Sequence, residues 1–179
     1  MDEYGQLIDA HTVRFERLLP GPIERIWDYL ADGKKRGEWF ASGDLPSKPG
    51  ERFELRFKHQ NLSPKPSVPP EKFIEMDKTG HVGESTLLAF EPPRRIVYTF
   101  GEGPDGASEV EFRLKEEAGD QVRLTLTHSK IPNRAYALDI SGGWHAHLAI
   151  LVDKANGRDP DGFWDVWRRY DGIYAKRYA

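Results

Sequence analysis

The sequence predicts an α+β domain in which a curved antiparallel β-sheet wraps around one long C-terminal helix. Five segments between residues 52 and 129 alternate apolar with polar side chains at a period of two. Alternation of that kind gives an antiparallel sheet with one wet face and one buried face. A later apolar stripe, Trp144, Leu148, Leu151 and Ala155, recurs at helical spacing and can cover the buried face.

In order, Val13, Phe15 and Leu19 alternate with Arg14 and Glu16, which predicts a half-buried strand over residues 11–19. Gly21-Pro22 ends it, with Pro22 placed as the first helical residue. Ile23, Ile26, Trp27 and Leu30 then form one stripe on a short helix, closed by Gly33 and Gly37. Glu38-Trp39-Phe40 is a further short apolar piece. In the strand at 52–58, Phe53, Leu55 and Phe57 oppose Arg52, Glu54, Arg56 and Lys58. Pro64, Pro66, Pro69 and Pro70 exclude a central strand or a helix over 60–70 and predict a mobile flap on the surface. Residues 71–78 are open to either helix or strand.

Strands follow over 81–90, 95–100, 108–116 and 121–129. Glu117-Ala118-Gly119-Asp120 is a hairpin signal, and Pro92-Pro93 and residues 101–106 supply the other turns. The long helix starts near Gly143 and stops at Gly157. Asp161 is placed to cap a last helix bearing Phe163, Val166, Trp167, Tyr170, Ile173 and Tyr174 on one broad face. That face must be covered, by its own domain or by a second copy in a homodimer. Residues 1–158 are thus read as the sheet-and-helix body with an excursion over 60–78, and 159–179 as a helical tail of the same domain.

Composition narrows the function. A chain of 179 residues suits one domain, which at that size buries roughly 70% of its unfolded surface. With 29 acidic and 26 basic residues, the net charge of −3 leaves no basic footprint for nucleic acid. No apolar run approaches the ~20 residues of a membrane span, and Met1-Asp2-Glu3 is not signal-like, so a cytoplasmic protein with no membrane partner is expected. The absence of cysteine excludes disulfides, thiolate catalysis and cysteine-held zinc.

Four local motifs carry a resemblance. They are Pro22-Ile23-Glu24-Arg25-Ile26-Trp27, the stretch Phe90-Glu91-Pro92-Pro93-Arg94-Arg95-Ile96-Val97-Tyr98-Thr99-Phe100, the strand Leu124-Thr125-Leu126-Thr127-His128-Ser129, and Gly143-Trp144 with Leu148 and Leu151. Taken in order, from about Thr12 to Leu151, the chain resembles the homologues of the activator of the heat-shock-protein-90 ATPase. Those proteins belong to the START-like, birch-pollen-allergen-like SRPBCC superfamily of helix-grip folds. The resemblance implies an apolar cavity between sheet and long helix. It also implies one of three habits: binding a small hydrophobic molecule, assisting a chaperone in stress response, or catalysis of polyketide-cyclase or hydrolase type. The family's eukaryotic co-chaperones carry a further N-terminal domain, for which a chain of this length leaves no room, so ligand binding ranks first. The excursion after Lys58 and the helical tail depart from the family pattern.

The candidate cavity residues are Trp27, Trp39, Phe40, Phe57, Tyr98, Trp144 and Leu148, on or beside stripes facing the helix–sheet space. Core packing accounts for any one of them; as a group they supply the apolar, aromatic walls a pocket needs. His128 has the inward parity of Val122, Leu124 and Leu126 and is either a sheet-end residue or a donor or base in the cavity. His145 and His147 lie about 200° apart on a helix, too far around to share a metal. His147 sits about 60° from Trp144 and is a candidate cavity-edge imidazole. No catalytic residue, metal site or cofactor is assigned. Asp159-Pro160-Asp161-Gly162 lacks the later ligands of a calcium loop and reads as a turn.

Overall fold

The computed structural model describes residues 3–101 and 107–179; most of the connection expected at 101–106 lies outside them. Among the described residues the chain runs β1 (Gln6–Asp9), β2 (Thr12–Pro20), α1 (Ile23–Ala31), α2 (Gly33–Arg36), β3 (Arg52–Phe57), α3 (Ile74–Thr79), β4 (His81–Glu91), β5 (Arg95–Phe100), β6 (Ser108–Glu117), β7 (Gln121–Ser129), α4 (Arg134–Ala155), α5 (Phe163–Tyr170) and α6 (Ile173–Arg177). Two 3-10 turns, His59–Asn61 and Glu71–Phe73, flank the proline-rich excursion.

The seven strands form one sheet in the order β1-β2-β7-β6-β5-β4-β3, and every neighbouring pair is antiparallel. Val13, Phe15 and Leu19 of β2, Val122, Leu124 and Leu126 of β7, and Val110, Phe112 and Leu114 of β6 are buried on one face, as their alternation requires. Across that face lies α4, 22 residues long, with Trp144, Leu148 and Leu151 buried. The fold is a helix grip.

Four details here differ from the sequence reading. Strand β1 was not foreseen: four residues with only Leu7 and Ile8 apolar give no countable alternation, and the strand exists by pairing with β2. Helix α4 begins at Arg134, ahead of Gly143, because Asn133 caps it by accepting from the Tyr136 amide at 2.9 Å. Its end matches expectation: Gly157, at φ +68°, donates to the Lys154 carbonyl while Arg158 donates to that of Asp153, the Schellman closure. Pro22 stands one residue outside α1, at the cap position. Asp161 caps nothing, because its carboxylate is taken by Lys65 at 2.8 Å and by Arg169.

Residues 74–79 are helical. The tail is two helices, broken at Gly172 with φ +77°. Its aromatic face is covered within the chain, since Phe163, Trp164, Val166, Trp167, Tyr174 and Tyr178 are all buried. Residues 60–70 join no strand, as the prolines dictate, yet they are not a free flap. Leu62 is buried, Ser63 Oγ donates to the Pro160 carbonyl at 2.7 Å, and the Trp164 amide donates to Ser67 Oγ at 3.1 Å. The excursion is strapped to the tail by side chains instead of ladder bonds. Among the described residues no helix is long and apolar enough to cross a membrane.

Candidate ligand-binding site

A cavity of about 480 Å³ opens at the N-terminal half of α4. The sheet contributes Leu55 and Phe57 from β3, residues 81–85 of β4 and Phe100 at the end of β5. From α4 come Ile140, Trp144 and His147. The outer wall is Phe73, Met76 of α3, and Phe163, Trp164 and Trp167 of α5. Sheet, grip helix, excursion and tail therefore all contribute side chains to one volume.

Phe40 sits at its floor and is delivered there by a buried cation. Asp32 caps α2 by accepting from the Lys34 and Lys35 amides. Arg36, 1% exposed, then donates to the carbonyls of Leu30 (3.2 Å), Ala41 (3.0 Å) and Gly43. These bonds fold residues 37–43 back on α1 and aim Trp39 and Phe40 at α4. The Phe40 ring stacks on Trp144 (4.8 Å between centroids) and meets Phe57 edge-on at 5.1 Å.

Three imidazoles are held neutral by their surroundings. Burial pulls His147 down to about 3, helped by nearby His59 and opposed by its bond to Trp39. His147 Nδ1 lies 2.8 Å from the Trp39 carbonyl. A carbonyl can only accept, so Nδ1 carries the proton and Nε2 is a bare acceptor. His59 is lowered to about 4, chiefly by burial, with Asp77 opposing. Its ring packs on Phe163 at 4.3 Å and lies 5.4 Å from His147. His128 is lowered to about 3 by burial. It accepts at Nδ1 from the Trp144 indole (2.9 Å), so Nε2 carries the proton and donates to Ser108 Oγ (2.7 Å). Ser108 in turn donates to the Phe100 carbonyl at 2.6 Å.

Of the candidate residues, Phe40, Phe57, Trp144 and His147 line this cavity. The other five lie elsewhere. Trp27 packs on Phe90, at the opposite end of β4 from the cavity. Trp39 is fully buried and holds His147 from behind. Tyr98 lies in the core against Phe53 and Phe112, and Leu148 is fully buried. His128 stands one layer in, with both nitrogens engaged. His145 faces the tail, bonded to the Tyr174 hydroxyl at 2.7 Å and stacked on Tyr170, away from His147. Sequence reasoning missed His59, Met76, Phe163 and Trp164 as cavity residues. Phe163 belonged to a recognised stripe, whereas His59 carries no periodic signal.

The sequence profile of the family described as "Activator of Hsp90 ATPase homolog 1-like protein" matches residues 20–155, more than two thirds of the chain. The chain belongs to that family. This member of the Hsp90-ATPase-activator-homologue family is also similar to the protein encoded by gene BPP1335 of Bordetella parapertussis, whose solution structure it matches at 46% identity and TM-score 0.82, over 98% of this chain and 91% of that one. CalU16 of Micromonospora echinospora (20% identity, TM-score 0.65, 97% and 93% coverage) has the same fold. So does DynU16, encoded in the dynemicin biosynthetic locus (18%, TM-score 0.63), with 84% of this chain and 49% of that one covered. Among curated proteins none matches significantly. In this family member part of the outer cavity wall comes from α5, beyond the residues the family profile matches.

Proposed function

We propose that the protein binds a small hydrophobic molecule in the cavity between the sheet, α4 and the tail. One observation carries the reading: a volume of about 480 Å³ is walled by aromatic rings, with the neutral His59 and His147 rings and the Ser85 hydroxyl among its polar groups. Pockets of a few hundred Å³ with apolar walls and a few placed polar groups are the usual form of small-molecule sites. Membership of a helix-grip family supports the same reading.

An enzymatic role fits the ring chemistry less well. A general base works best with a pKa near the operating pH, whereas burial holds His147 near 3. Both nitrogens of His128 are engaged in the core. Native mass spectrometry of the purified protein tests the proposal. An adduct of a few hundred daltons, released by organic solvent, is expected. A bare chain that also takes up no apolar probe on titration would contradict it.

A further inference from the structure

The cavity's polar groups point to the charge of what it holds. None of the residues lining it is lysine or arginine. The nearby cations are already committed at the rim. Lys72 Nζ lies 4.6 Å over the Phe73 ring and 3.9 Å from Asp139, and Arg52 pairs with Glu84 at 2.7 Å. Deeper in, the His147 ring offers an acceptor, and the donors beside it, the neutral His59 ring and the Ser85 and Tyr136 hydroxyls, carry no positive charge. The Trp39 carbonyl occupies the Nδ1 edge of the His147 ring, which lines the cavity, and no described residue donates to Nε2. Among the described residues the only buried side-chain polar atom without a partner is the Tyr98 hydroxyl, so the His147 lone pair, on a ring 6% exposed, opens onto the cavity.

Resting on the ligand-binding reading above, the geometry points to an uncharged aromatic ligand bearing a hydroxyl, oriented by donating that hydrogen to His147 Nε2. A carboxylate or phosphate entering the same space loses its hydration and meets a lone pair instead of a cation, which disfavours it. The stacked rings of Phe40 and Trp144 favour a flat partner. His147 is a positioning group for the ligand under this reading, with Trp39 fixing its tautomer.

Calorimetric titration of the intact protein near neutral pH with three matched probes tests this. Naphthol carries the donor, methylnaphthalene replaces it by a methyl group, and naphthoate replaces it by an anion. Naphthol is expected to bind tightest, with methylnaphthalene about tenfold weaker, the worth of one hydrogen bond, and naphthoate weakest. In His147→Phe naphthol and methylnaphthalene should bind alike. Naphthoate binding as tightly as naphthol, or methylnaphthalene matching it in the unaltered chain, overturns the inference and leaves the cavity reading standing. Failure of all three probes to bind overturns the cavity reading and this inference with it. If His147→Phe does not fold, the comparison in the unaltered chain decides.

Discussion

The Trp144 indole donates to His128 Nδ1 across 2.9 Å of core, and this bond joins the grip helix to the centre of the sheet. It fixes the imidazole tautomer, and the relay through Ser108 to the Phe100 carbonyl satisfies every polar hydrogen along the way. The other face of the same indole is the cavity wall. Core order and cavity shape are therefore one structural problem.

Replacing His128 by leucine keeps the volume roughly but strands the Trp144 N–H. A cost of about 1–3 kcal/mol is expected, while Trp144→Ala should cost about 3–5 kcal/mol as a large-to-small core change. Because the rings touch, the double variant should cost less than the sum. Urea midpoints at constant slope measure this; strictly additive losses would show that the bond contributes nothing.

Acid should unfold the protein early. His128 and His147 have an ordinary value of 6.5 in the unfolded chain and about 3 in the folded one. The unfolded chain thus binds protons that the folded chain refuses. Their contribution is complete above about pH 6.5 and is lost as pH falls from there towards about 3, by about 1.4 kcal/mol per pH unit for each ring. Denaturant titrations across that window check the slope, which should be shallower in His128→Leu. Stability independent of pH between 6.5 and 4 would contradict the neutral assignment.

Asp77 is a buried carboxylate that accepts from the Trp164 indole (2.8 Å) and from Gln60 Nε2 (2.7 Å), tying α3 to the tail and the excursion. In Asp77→Ala both donors lose their partner, which should cost about 1–3 kcal/mol and loosen residues 60–70. Limited proteolysis should then cut within that span sooner than in the unaltered chain. An unchanged cleavage rate would mean that the strap does not depend on Asp77.

The tail's aromatic face packs on α4 and the excursion, with Tyr174 also accepting from the Gly5 amide at 2.9 Å. No large apolar face of the tail remains to recruit a second copy. Sedimentation of the intact chain should give the monomer mass; a dimer would require a surface other than this one.

Much of the architecture is legible in the residues. Phe53 and Leu55, or Val110, Phe112 and Leu114, fix which face of their strand is buried because a period of two admits no other assignment. The start of α4 was not legible, since this helix is buried on two sides. Trp144 and Leu148 face the sheet while Gly142 and His145 face the tail, so no single stripe marks its first turns. The site divides similarly. Phe57, Trp144 and His147 follow from parity and helical angle, and Phe40 from a short apolar piece. His59 and Trp164 reach the cavity only through contacts among the excursion, α3 and α5, which no local pattern encodes.

Amide chemical-shift mapping shows whether the space beside Trp144 is a ligand site. Titration of the isotope-labelled protein with methylnaphthalene, which carries no hydrogen-bonding group, should shift the amides of Phe57, His59, Trp144, His147 and Phe163 together along one saturating curve. Those residues come from three separate stretches of chain, 57–59, 144–147 and 163, brought together at the cavity. Saturating shifts confined to other surfaces, or no shifts at the solubility limit of the probe, would contradict it.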